Sequence, residues 1–267
     1  MLSQMNLRAG AADAATGRGG GIPVRVALAV LSIGGDPAEN LQQMLRAMGA
    51  AARARADLVL FAEAAFTGLA NDDDPAHDLP LGTTTRGAPV AQLRREAERL
   101  GLHTAFGFLE RSRRRLYDAA LLLDRGGRTA LHYRRITPGW HGPGADPRVY
   151  APGRRLAVQE TAFGRTAFLI CGDLFDDSLV DRLRALGPDL LLVPFARSFP
   201  EGGREQHRWR RDERPAYLAR AARVGATTLL VNYLDEDCFG GATLAGPDGR
   251  LLAELPLGRQ GLLVADI

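Results

Sequence analysis

From residue 24 onward the chain alternates apolar runs of strand length with stretches whose apolar positions recur at helical spacing. "VRVALAVLSI" (24–33) reads as a first strand, and "DLVLFAE" (57–63) as a buried strand that ends in an acid. Between them, Asp36 followed by Pro37 supplies an N-cap and first-turn signal, after which Leu41, Met44, Leu45 and Met48 share one helical face. The segment 68–86, with its "NDDDP" run, predicts a polar loop, 87–100 a helix, and 103–109 and 116–123 strands. "DRGGR" then turns into "TALHY". The apolar run before Cys171 predicts a strand, 176–186 a helix, "DLLLVPF" (189–195) a strand, and 212–225 a helix with Leu218, Ala221, Ala222 and Gly225 on its apolar side. "TTLLVNY", "GGATLAGPDGRLLAEL" and "GLLVADI" close the chain as strands, the middle pair joined by a PDG turn. The alternation of the two periods predicts an α/β layer fold rather than a bundle or an all-β sandwich.

Composition narrows what such a fold does. The 267 residues suit one large α/β domain over 23–267, preceded by a Gly- and Ala-rich stretch, 1–22, that lacks the continuous apolar run of a signal peptide or membrane helix and reads as a disordered leader. Two cysteines, Cys171 and Cys238, are too few for a disulfide framework and stand in no metal-ligand spacing, which points to a reduced, cytoplasmic setting and no metal. The net charge of +3 comes from basic residues spread along the chain, so nucleic acid is not an expected partner, nor is a membrane. The chain has no lysine: all 34 of its Lys+Arg residues are arginine, which excludes any function that needs an ε-amino group.

Glu63, Arg135 and Cys171 each stand at or just past the C-terminal end of a predicted strand, where open α/β folds carry their reactive groups. A thiol becomes a nucleophile when a base takes its proton, and a carboxylate in an apolar pocket can take that proton and return it to a leaving amine. Gly172 leaves its backbone N–H uncrowded for an oxyanion. Trp140 and His141 follow the Arg135 strand and either line the mouth of the pocket or pack the loop. Plainer readings stand beside these: a strand-end cysteine is by itself more often a small buried hydrophobe, and that is the reading for Cys238. "NDDDP" is either a solvated run or a lure for a cation, and "REQHRWRRDERP" (204–215) either an anion site or an exposed lead-in to a helix.

Four stretches, in order, resemble the nitrilase superfamily of carbon–nitrogen hydrolases over residues 24–267: "LVLFAEAAFTGL", which carries the family's glutamate at Glu63; "YDAALLLDRGGRTALHYRR"; "LICGDLFDD", which carries its cysteine at Cys171; and "VNYLDEDCFGGATLAGPDGRLLAEL". The resemblance implies an α-β-β-α sandwich of two mixed sheets flanked by helices, and a homodimer or higher homo-oligomer formed through the face of the late helices, with Trp209 a pocket or dimer aromatic. It also implies a small-molecule substrate, no cofactor, and a thioester at Cys171. The departures are specific. The family's catalytic lysine is Arg135, its second acid falls on Asp146, the asparagine after its tyrosine is Asp118, and the proline before its glutamate is Ala62. An arginine at that position either stabilises the oxyanion or locks onto Glu63 or Asp146. Two functions follow: hydrolysis of a small amide or carbamoyl compound, with a nitrile the weaker fit, or a catalytically silent small-molecule binder.

Overall fold

A computed structural model describes residues 4–5, 24–199 and 205–267. Apart from Gln4–Met5, the leader expected over 1–22 lies outside the described residues.

Val26 to Val30 are buried without a break because their strand lies inside a sheet covered on both faces. The first sheet comprises β1 (Gln4–Met5), β2 (Arg25–Val30), β3 (Leu58–Phe61), β4 (His103–Ser112), β5 (Arg115–Leu123), β6 (Thr129–Arg134) and β13 (Gly261–Asp266), in the order β1-β13-β2-β3-β4-β5-β6. The second comprises β7 (Val158–Thr161), β8 (Gly164–Phe168), β9 (Leu190–Phe195), β10 (Thr227–Asn232), β11 (Ala242–Ala245) and β12 (Leu251–Leu255), in the order β12-β11-β10-β9-β8-β7. Each has a parallel centre, β2-β3-β4 and β8-β9-β10, extended by antiparallel pairings, with β1 alone added in parallel, beside β13. β2, β3 and β4 face β9 and β10 across a shared core. Helices α1 (Pro37–Arg53) and α3 (Ala88–Leu100) cover the first sheet, and α4 (Asp177–Leu186) packs against α6 (Arg214–Val224) over the second. This is the expected α-β-β-α sandwich of two mixed sheets. Among the described residues no helix is long and apolar enough to cross a membrane.

Local chemistry explains where the helices begin and end. The Asp36 carboxylate accepts the Ala38 N–H at 2.8 Å to open α1, and α3 stops at Gly101, whose φ of 61° suits a residue with no Cβ.

Three expectations change. The loop predicted over 68–86 contains α2 (Pro75–Leu81), because Asp74 caps Ala76 N–H at 2.9 Å and Pro75 occupies the first turn. Its Asp78 is wholly buried, accepting from Tyr150 Oη at 2.5 Å, His77 Nδ1 at 2.7 Å and the N–H groups of Asp72 and Asp73 at 3.0 and 2.9 Å. The acidic run therefore folds around a buried carboxylate. The helix predicted over 212–225 starts earlier, as α5 (Gln206–Arg208) and a π turn over Trp209–Glu213. Its core residues are Tyr217, Ala221 and Val224, and Gly225 is an exposed left-handed cap. The small side, at Leu218 and Ala222, meets the β11–β12 turn instead: a Cβ on Gly249 would lie 2.6 Å from the Leu218 carbonyl oxygen. Finally, the strand before Cys171 ends at Phe168.

Asp78→Ala strips several buried donors of their acceptor, and is expected to destabilise the protein by about 3 kcal/mol. Urea denaturation of the two forms measures this; an unchanged midpoint would show that the network is dispensable.

Candidate active site

Glu63 lies two residues beyond β3, fully buried, where the chain turns sharply through Ala64 at φ 45°. The neighbouring strand makes room for this turn at one position. Gly107 on β4 donates to the Ala62 carbonyl at 3.0 Å and accepts from Ala65 N–H at 2.9 Å, and a Cβ there would stand 2.6 Å from Glu63 Cα. Gly107 thus clamps the glutamate's backbone from both sides. Nothing in the sequence pattern marks it, since its role depends on the register between β3 and β4.

Arg135 follows β6 directly, and Cys171 opens a 3-10 turn (Cys171–Phe175) three residues past β8, with φ 45°. Asp173 joins the two segments. Its carboxylate accepts from Tyr133 Oη at 2.7 Å, Ile136 N at 3.1 Å and Thr137 N at 2.8 Å on the first sheet's side, and from Ile170 N at 3.3 Å beside the cysteine. One buried carboxylate therefore fixes where Arg135 and Cys171 stand relative to each other. The Cys171 thiol donates to the Ala196 carbonyl at 3.5 Å.

The Arg135 guanidinium is 4% exposed, and each of its three nitrogens donates. Nη1 donates to Glu63 Oε1 at 2.9 Å and, at a longer 3.5 Å, to Asp118 Oδ2; Nη2 donates to the Pro138 carbonyl at 3.1 Å, and Nε to Thr137 Oγ1 at 3.3 Å. Gly172 has no side chain for a reason the sequence reading did not give. A Cβ there would lie 2.5 Å from Arg135 Nη2, so the guanidinium occupies the space that any other residue would fill.

Burial dominates the electrostatics. It pushes the Glu63 carboxyl up and a negative charge on Cys171 would add to this, while the Arg135 charge and the nearby Asp118 pull the other way, leaving it raised to about 8. Burial likewise lifts Asp118 well above the usual carboxylate range, reinforced by the neighbouring Glu63. For Arg135 burial works against the charged form, but the negative charges of Glu63, Cys171 and Asp118 outweigh it and the guanidinium stays protonated. Burial also pushes the Cys238 thiol up, to about 12, and Cys238 sits in the apolar core. Among the described residues, Glu63 Oε2 and Asp118 Oδ1 are buried without a hydrogen-bond partner.

Glu63, Arg135, Cys171 and Gly172 therefore come together. Asp146 does not join them: its carboxylate bonds to Arg148 at 2.7–3.0 Å on the surface, and the acid that Arg135 reaches besides Glu63 is Asp118. Trp140 is buried in a satellite cluster against Tyr150 and His141, and its carbonyl accepts from Asn71 Nδ2 at 2.9 Å. His141 meets Trp140 edge-on and Tyr150 at a tilt and bonds to the Gly142 carbonyl, so both residues pack the loop. Trp209 is buried, donating to Glu254 at 2.6 Å. Asp118 and Asp173 carry weight in the site that the sequence reading did not assign. The signal for Asp118 was its place on β5, the strand that pairs with the one leading to Arg135.

A thiol, a buried carboxyl and a fixed cation are thus gathered between two facing mixed sheets. The carbon–nitrogen hydrolase family profile matches residues 25–267, and the chain belongs to that family, the nitrilase superfamily. The chain is 30% identical over 149 residues to the deaminated glutathione amidase of Yersinia enterocolitica, and this match spans about half of each protein, 50% of this chain and 51% of the relative. Among solved structures, a mutant of the amidase from Nesterenkonia sp. AN1, bearing the product of Michael addition of acrylamide at its active-site cysteine, superposes with a TM-score of 0.76 at 24% identity, over 91% of this chain and 93% of that one. A double mutant of the same amidase in complex with acrylamide gives 0.77 at 23% identity, over 94% and 93%. These likenesses show the fold.

Gly172→Ala is expected to drive the guanidinium off its seat and lower any turnover by roughly 100-fold, the usual order for a catalytic group misplaced by about an ångström. Circular dichroism together with an amide assay tests this; native-like rates from a folded variant would mean that the position of Arg135 does not matter.

Proposed function

We propose that the protein hydrolyses a small non-peptide amide or carbamoyl compound, with a nitrile the weaker fit, through a thioester at Cys171. The observation that carries this reading is the fully buried Glu63, its carboxyl raised towards neutrality beside Cys171 and bonded to Arg135. Glu63 takes the proton from Sγ as the sulfur–carbon bond forms, and the Arg135 guanidinium meets the oxyanion. Glu63 then returns the proton to nitrogen, the carbon–nitrogen bond breaks, and ammonia or an amine leaves. Water enters, Glu63 takes its proton, the hydroxide attacks the thioester, the carbon–sulfur bond breaks, and the proton passes back to the thiolate as the acid departs. The steps use no metal or organic cofactor. The amidase names of the relatives support the bond type.

The reading extends to a cytoplasmic protein, supported by two unpaired thiols, and to a homodimer or higher homo-oligomer joined through the face of α4 and α6. Phe175 and Leu186, large apolar residues 39% and 40% exposed, flank α4 and support that face.

One observation favours a binder without turnover: the bond from Arg135 to Glu63 itself, which stabilises the carboxylate as an ion pair and weakens it as a base. Labelling with a thiol electrophile at neutral pH separates the two. Fast modification of Cys171 relative to Cys238 supports the hydrolase; equal rates support the binder. In an assay of simple amides, carbamoyl amino acids and nitriles, Cys171→Ala is expected to abolish turnover while leaving the fold intact, and Glu63→Gln to lower it by roughly 100-fold or more. The acid limb of the pH–rate profile is expected above the ordinary carboxyl value of 4.5 and towards 8, because the base forms only as the raised carboxyl loses its proton. Full activity in Cys171→Ala would end the covalent mechanism.

A further inference from the structure

Asp118 reaches the interior of the site from β5, whereas the acid expected there, Asp146, is on the surface. We propose that Asp118 and Glu63 form a carboxyl dyad that shares one proton under Arg135, with Asp118 the positioning residue that holds the proton.

Three observations on the geometry lead to this. Both carboxyls are buried, with no water-facing surface on either side chain. A single nitrogen, Arg135 Nη1, is the donor common to both, at 2.9 Å and 3.5 Å, so one guanidinium charge serves two acids. One positive charge balances one carboxylate; a second, side by side with the first and away from water, is held at the cost of strong like-charge repulsion. Third, each acid keeps one buried oxygen without a partner, Glu63 Oε2 and Asp118 Oδ1. Buried polar atoms left unpaired are costly, and a proton on Asp118 directed at Glu63 gives both acids the missing bond at once.

The other charged and titratable groups around Asp118 do not supply an alternative. Arg135 is already the shared donor. Asp173 is occupied by Tyr133 Oη and by backbone N–H groups, and being negative it adds to the pressure on Asp118 to stay neutral. Tyr133, deeply buried, spends its proton on Asp173. With Asp118 neutral, Glu63 remains the one carboxylate of the dyad, steadied by an O–H from one side and an N–H from the other. It is then free to accept the thiol proton without the site collapsing into a double ion pair. Two of the departures from the family pattern also meet here: Arg135, in place of the lysine, bonds both acids through one nitrogen, and an aspartic acid stands where the pattern has an asparagine.

The inference rests on the hydrolase reading only in its kinetic arm, so the test has a second arm that needs no substrate. Infrared spectra of the native protein just above pH 8, where the raised Glu63 carboxyl has given up its own proton, are expected to show the carbonyl stretch of a protonated carboxyl. Asp118→Asn is expected to remove it, because Glu63 alone then pairs with Arg135 and ionises. Glu63→Gln is expected to remove it as well, because Asp118 becomes the sole counter-ion, and this second variant carries the test if the first does not fold. No such band in the native protein, or its survival in either folded variant, overturns the dyad; survival in Glu63→Gln alone would mean a lone buried acid. In the kinetic arm, Asp118→Asn is expected to lower kcat on a simple amide by roughly tenfold or more while KM stays within about twofold, as fits loss of proton control rather than of substrate contact. If the band behaves as expected and no amide is turned over, the dyad stands and the hydrolase reading falls.

Discussion

A charge buried away from water is the condition around which this molecule is arranged. Removing a guanidinium from solvent costs several kcal/mol unless its nitrogens find partners, and each nitrogen of Arg135 does, among a carboxylate, a second acid, a carbonyl and a hydroxyl. Those partners come from β5, from the segment after β3 and from the chain just beyond β6, so the first sheet must be complete before the charge is compensated. The second sheet contributes a void rather than a bond: Gly172, which leaves the guanidinium its space. Glu63 is raised by the same burial that makes Arg135 costly, and the chemistry proposed for the site depends on the balance between the two.

Asp173 converts that local balance into geometry. By accepting from backbone on both sides of the interface, it ties the Arg135 segment to the Cys171 turn without contacting either reactive group. The arrangement resembles a keystone more than a catalytic partner. The sandwich thereby sets the separation of thiol and cation through a hydrogen-bonded carboxylate and not through loop packing, which tolerates drift.

Parts of this were legible in the chain because they depend on local rules. Asp36-Pro37 opens α1, unbroken apolar runs mark strands covered on both faces, and Glu63 and Cys171 follow such runs. What the sequence hid depends on distant neighbours. Asp146 and Asp118 are both acids at reasonable offsets from Arg135, and only the pairing of β5 with β6 brings Asp118 inward, while a local bond to Arg148 holds Asp146 at the surface. Of the residues expected on the apolar side of the last helix, Ala221 is in the core but Leu218 and Ala222 meet the Gly249 turn, a contact set by tertiary packing. The helix over Pro75–Leu81 was masked by an acidic run whose hydrophilic composition gave no sign that Asp78 would be buried against Tyr150.

The backbone of Cys171 has one further implication. A non-glycine residue at φ 45° is held in a conformation that its own Cβ disfavours, by roughly 1–2 kcal/mol, and the surrounding fold must supply that energy. Glycine would relieve it at once. A thiol at position 171 therefore stands at a cost to the stability of the chain that the surrounding packing must offset.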